Sequence, residues 1–152
     1  MRCLLKGALW GIVLLSIGGL AFAKFATPED AIRYRQAVMT IIGEHFGRVA
    51  AVVTGEAANN EKMLARQTLL LRTMAALPWE ACLVPGSYSG KTTLKKAVLK
   101  ERDQFMNKAQ DLEQSIDKLD ETVKSGDLNA IRAQFGNVAR NCKDCHNTFR
   151  NL

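Results

Sequence analysis

Near the C-terminus, Cys142 and Cys145 are separated by two residues, and His146 follows the second thiol directly. Two thiols at this spacing with an adjacent imidazole can form thioethers to the two vinyl groups of a haem while the ring reaches the iron from one face. They can also be a thioredoxin-like redox pair, half of a zinc site, or a disulfide. A redox pair of that kind usually follows a strand and opens a helix, whereas this one lies near the end of a helical apolar pattern. Zinc would need a fourth ligand, and only His45 and Cys82 stand elsewhere as distant candidates. The haem reading uses all three residues, and the others are weaker.

The cysteine inventory agrees. Of four cysteines, Cys3 falls in a leading stretch with Arg2 and Lys6, an apolar run from Ala8 to Leu20 and the cleavage signal Ala21-Phe22-Ala23. We read residues 1–23 as a signal peptide and expect a periplasmic protein; the run is shorter than the ~20 residues of a spanning helix, so no stable membrane anchor is expected. Cys82, Cys142 and Cys145 remain, an odd number that excludes a complete disulfide framework. Residues 24–152 are enough for one domain, and 47% hydrophobic with 24% charged residues in the whole chain is ordinary globular composition. Their 19 basic and 15 acidic side chains are interleaved, which reads as a solvated helical surface and excludes nucleic acid as a partner.

Four amphipathic helices would position the motif. The first starts at Thr27 as N-cap with Pro28, Glu29 and Asp30 behind it, and its seam is Ile32, Arg35, Met39, Ile42, Phe46, Val49 and Val53. A loop from Thr54 to Asn60 leads to a second helix with Met63, Gln67, Leu70, Met74 and Leu77 inward, stopped by Pro78. The Pro78 to Gly90 segment has no period and reads as a long connection. The third helix is expected from about Thr92 to Lys124, ended by Gly126, and the fourth places Leu128, Ile131, Phe135, Val138, Cys142, Cys145 and Phe149 on one stripe. With no strand-like alternation, this predicts an all-α, antiparallel up-down-up-down four-helix bundle.

The segments Phe25 to Gln36, His45-Phe46-Gly47-Arg48, Ala76-Leu77-Pro78-Trp79 and Cys142 to Arg150 resemble the class II cytochromes c, specifically the cytochrome c prime family. The resemblance spans residues 24–152. It implies one covalently bound haem c, held by Cys142 and Cys145, with His146 as the axial iron ligand and Arg150 beside it. It also implies that Arg35 matches an arginine near the haem propionates, that NO and CO bind the ferrous iron, and that the protein is usually a homodimer linked to NO tolerance or electron transfer with redox partner proteins. An arginine on a buried face separately calls for an anion, which haem carboxylates would supply; a snorkelling side chain is the bland alternative.

Met39 falls where the family places a distal, commonly apolar, non-bonded residue. We expect it to pack, leaving five-coordinate high-spin iron open to NO and CO. The alternative is a low-spin electron carrier with His146 and Met39 as axial ligands. Phe149 replaces a frequent family tyrosine, and Cys82 is read either as a link between subunits or as a buried inert thiol. Ala37, Thr40, Gly47 and Ala51 form a stripe of small residues expected to pack against a symmetry mate. No nucleophile with a general base is evident, so an enzyme is not expected.

Overall fold

The computed structural model describes residues 25–151, and the expected signal peptide lies outside them. Helix α1 (Pro28–Val53) starts where the sequence places it. Thr27 Oγ1 accepts from the Asp30 N–H at 3.1 Å and the Asp30 carboxylate accepts from the Thr27 N–H at 3.1 Å, a reciprocal capping box with Pro28 next in line. Asn60 caps α2 (Glu61–Met74). The one-turn helices α3 (Trp79–Cys82) and α4 (Ala97–Lys100) lie in the connection to α5 (Arg102–Val123). Gly126, at φ 70°, turns the chain in the left-handed region, and α6 (Leu128–Phe149) follows.

The Asp127 carboxylate caps α6 by accepting from the Asn129 and Ala130 N–H groups at 2.9 and 3.3 Å. Asp127→Ala is expected to lower stability by about 1 kcal/mol. A denaturant midpoint shifted down at unchanged slope would show it.

The four long helices pack in a closed ring, α1 on α2, α2 on α5, α5 on α6 and α6 on α1, which makes the antiparallel four-helix bundle that the apolar spacing predicts. Leu64, Leu71, Ile116, Leu119, Ile131 and Val138 are each at most 1% exposed. Burial of each such side chain is worth about 1.5–3 kcal/mol before entropy is counted. Two polar ties fix how neighbouring helices slide: Thr68 Oγ1 donates to Asp120 Oδ1 at 2.8 Å between α2 and α5, and Gln134 Nε2 donates to the Ser115 carbonyl at 2.9 Å between α6 and α5.

Two expectations are corrected. The third helix does not begin at Thr92: residues 92–95 run extended beside the end of α6, with an isolated bridge between Leu94 and Arg150. The Lys95 N–H donates to the Phe149 carbonyl at 2.9 Å and the Asn151 N–H to the Thr93 carbonyl at 2.8 Å, so the backbone of this strap finds partners outside any helix. On α2 the buried face is Leu64, Gln67, Thr68, Leu71 and Ala75, while Leu77 is exposed. Consecutive Leu69, Leu70 and Leu71 allow two phases, and packing against α1 and α5 selects the one that buries Leu71. Of the two readings of Cys82, the buried thiol is the one found: it is 4% exposed and its Sγ donates to the Pro78 carbonyl at 3.4 Å.

Candidate functional site

At the end of the bundle where α1 and α5 begin and α2 and α6 finish, the four helices leave a cavity of ≈ 830 Å³. Arg35, Met39, Cys142, Cys145, His146 and Arg150, distant in sequence, all line it. Apolar side chains make up most of the wall, including Ile42, Phe46, Leu112 and Val138. Around the Cys145 end, Trp79, Phe105 and Phe149 interlock edge to face, with ring centres 6.0 Å apart for the first pair and 5.2 Å for the second. The Trp79 indole N–H is satisfied by Glu113 Oε1 at 2.6 Å.

Cys142 and Cys145 are three residues apart on α6, so both project from one face of the helix, and both thiols are free. Burial raises the Cys142 thiol to about 11, with the neighbouring Cys145 adding to the rise. Burial also raises Cys145, opposed by Lys108. Thiols held protonated at neutral pH are poor nucleophiles for disulfide exchange, the opposite of the activated thiolate of a redox pair. His146 is half-buried; burial, then the nearby Arg150 cation, lowers its affinity for a proton. A neutral imidazole is the form that binds a metal.

Arg150 approaches that ring, with Nη1 3.4 Å from His146 Nδ1, and is itself anchored by Nε donating to Thr93 Oγ1 at 3.2 Å. Lys95 Nζ donates to the Asn147 and Thr148 carbonyls at 3.2 and 3.1 Å, serving the open C-terminal end of α6. Sequence reasoning missed this strap because it took Thr92 as a helix start. The adjacent β-branched Thr92 and Thr93 are the signal that could have found it.

Arg35 does not snorkel. It is 5% exposed, and its guanidinium donates to the Ala81 carbonyl at 2.9 Å, to the Ser87 carbonyl and to Thr92 Oγ1 at 2.8 Å. Burial lowers its pKa, and it ties the 78–92 connection to α1. A guanidinium has five N–H donors, so these bonds leave two for an anion in the cavity. Cys82, also in the wall, is pushed up to about 11 by burial. His45 lies outside the wall and bonds Gln67 Oε1 through Nδ1 at 2.6 Å.

Two thiols on one helix face, an adjacent imidazole, an apolar chamber and an arginine at its edge fit the donor set of a covalently attached haem. The chamber lies within the roughly 300–1,000 Å³ typical of cofactor sites. Among the described residues no cluster of three His, Cys, Asp or Glu side chains could hold a bare metal ion, and no helix is long and apolar enough to cross a membrane.

The comparisons with known proteins point the same way. A family model described as Cytochrome C' matches residues 30–150. The cytochrome c' of Alcaligenes xylosoxydans xylosoxydans is 37% identical over 127 residues, 84% of this chain and 98% of that protein. That of Rubrivivax gelatinosus is 39% identical over 128 residues, with the same coverage of 84% and 98%. The crystal structure of the Rubrivivax gelatinosus protein aligns with a TM-score of 0.79, covering 84% of this chain and 100% of that one. A nitric oxide complex of a mutant cytochrome c prime from Alcaligenes xylosoxidans aligns with a TM-score of 0.79 at 36% identity, covering 85% and 99%. Sequence match and superposition both run through the cavity-lining helices, and the chain therefore belongs to the cytochrome c prime family, haem c proteins that carry covalently attached iron porphyrin and are not enzymes.

Proposed function

We propose that the chain is a periplasmic gas-binding cytochrome whose haem c is held by thioethers from Cys142 and Cys145, with His146 as the axial iron ligand. The observation that carries this reading is the convergence of both thiols, the imidazole and Met39 on one apolar chamber. When bound, the haem supplies an iron that cycles between ferric and ferrous and takes small ligands. The chain's own residues set the conditions. Met39, half-buried in the chamber wall with Ile42 and Phe46, presents an apolar surface that disfavours water and admits NO or CO. Arg35 stands ready for a haem carboxylate, and Arg150 places a cation on the imidazole side. Localisation in the periplasm follows from the signal peptide read in residues 1–23.

Visible and paramagnetic resonance spectra of the oxidised, reduced and CO-treated protein test the reading. The expected result is high-spin five-coordinate iron whose ferrous form takes CO and NO without displacing a protein ligand. A pure low-spin ferric signal with a sulfur-to-iron charge-transfer band would instead make Met39 the sixth ligand and the protein an electron carrier. Met39→Ala is expected to speed CO association about tenfold, a barrier lowered by about 1.4 kcal/mol, because it removes the side chain that narrows the chamber.

The same protein is proposed to pair through α1. Ala37, Thr40 and Gly47 are exposed there, a Cβ added at Gly43 or Gly47 would meet nothing within 4 Å, and Ile41 is 44% exposed. Such a face lets a second copy approach closely, and sedimentation of a monomer at high concentration would refute the pairing.

A further inference from the structure

The net charge of the protein is concentrated in one segment whose first residues line the cavity. Residues 25–151 hold 18 basic and 15 acidic side chains, a net +3. Residues 91–102 alone hold Lys91, Lys95, Lys96, Lys100 and Arg102 against Glu101, a net +4, so the other described residues sum to −1. The interleaving seen along the sequence conceals this, because apolar residues separate the cations and the segment reads as an ordinary helix face.

In the fold that segment runs from the strap through α4 to the first residue of α5. Its Thr92, Thr93 and Leu94 line the cavity, and the wall residues that reach solvent are Gln36, Thr40 and Gly43 on α1 with Thr93 and Arg150 opposite. Gln36 Nε2 donates to the Lys91 carbonyl at 2.9 Å, which fixes Lys91 at this mouth. Lys95 is held against the end of α6, and Lys96 lies over the Tyr88 ring at 5.5 Å. The nearest acids in sequence are Glu101, Asp103 and Asp144, and among the described residues none of Lys91, Lys95, Lys96 or Arg150 enters an ion pair. Among the described residues no ion pair neutralises them, and they stand beside an apolar chamber that focuses their field.

We propose that residues 91–102, with Arg150, form the docking face for an acidic electron-transfer protein, which brings its redox centre to the open edge of the haem chamber. This rests on the haem reading above and adds the partner and its place of contact. Like the charge of any solvated rim, these lysines would raise the rate of encounter more than the affinity, and salt would weaken them.

The test uses the reduced, haem-loaded protein in stopped flow against an oxidised blue copper protein with an acidic surface, and against hexacyanoferrate(III). The expected rate with the copper protein falls about tenfold between about 10 and 200 mM salt. Lys91→Glu/Lys96→Glu/Lys100→Glu should lower the low-salt rate about tenfold and flatten the salt dependence, with unchanged helix content and spectrum. Lys62→Glu/Lys118→Glu/Lys124→Glu, at the opposite end of the bundle, should leave the low-salt rate within about twofold. Equal effects from the two triple variants, or a salt slope untouched by the first, would overturn the docking face. So would loss of binding to phosphatidylglycerol vesicles in the first variant with its copper-protein rate intact, which would assign the face to a lipid surface. No electron exchange with hexacyanoferrate(III) at all would overturn the haem reading beneath it.

Discussion

The double variant Cys142→Ala/Cys145→Ala is expected to yield protein from which acidified acetone extracts every trace of pigment, while the parent keeps its colour. Both thiols face the chamber from one side of α6, and neither has a protein sulfur partner. Each single variant should retain one thioether, and its alkaline pyridine spectrum should shift toward that of a haem with one intact vinyl group. The same variant separates the competing chemistry. A thiol-disulfide protein would lose dithiol reactivity and would have had no bound pigment to lose, but burial raises both thiols, Cys142 to about 11, and so disfavours the thiolate that such chemistry needs. Pigment that stays bound to the double variant through acid and solvent would refute the thioether assignment. A drop in stability should accompany the loss, because a chamber of ≈ 830 Å³ walled by Ile42, Phe46 and Leu112 is filled only when the porphyrin is there.

Much of this site is legible in the chain because its parts carry local signals. The thiol pair and imidazole are adjacent in sequence, and the seam of α6 carries both cysteines inward with Val138 and Phe149. Thr27 with Pro28, and Gly126 with Asp127, mark helix boundaries through caps that need only neighbouring residues. Arg35 stands out as the one charge on an apolar seam. Where the signal depends on tertiary partners, sequence spacing fails. The three leucines of α2 fit two helical phases, and only α1 and α5 decide between them. The strap at 92–95 is extended because the end of α6 offers it a backbone carbonyl and N–H; β-branched Thr92 and Thr93 hint at extended backbone, but the partner that selects it is long-range. Cys82 likewise looks like a loop thiol until α3 folds it under Pro78.

Arg35→Met should lower stability by about 3–4 kcal/mol and the melting temperature by on the order of 10 °C, although methionine nearly matches the stem of the side chain. The reason lies in what the guanidinium serves. It alone spans from α1 to Ala81, Ser87 and Thr92, three points along the connection that crosses the bundle end. Each buried acceptor left without its donor costs about 1–3 kcal/mol. The total is less than three such terms, because Ser87 Oγ also donates to the Ala81 carbonyl at 3.2 Å and can partly replace it. Arg35→Lys keeps the charge but has no planar fork, so it should recover less than half of the loss. The consequence reaches the proximal side of the chamber. Thr92 is followed by Thr93, whose hydroxyl holds Arg150 beside His146, so loosening the connection should also disturb the imidazole and alter the ferrous spectrum. Thr93→Val separates the two effects: it releases the Arg150 side chain from the strap, whose backbone bonds to the end of α6 remain, and leaves all three Arg35 bonds in place. It should shift the spectrum with a stability change under about 1 kcal/mol. Equal stability losses in Arg35→Met and Thr93→Val would show that the guanidinium does not organise this end of the bundle.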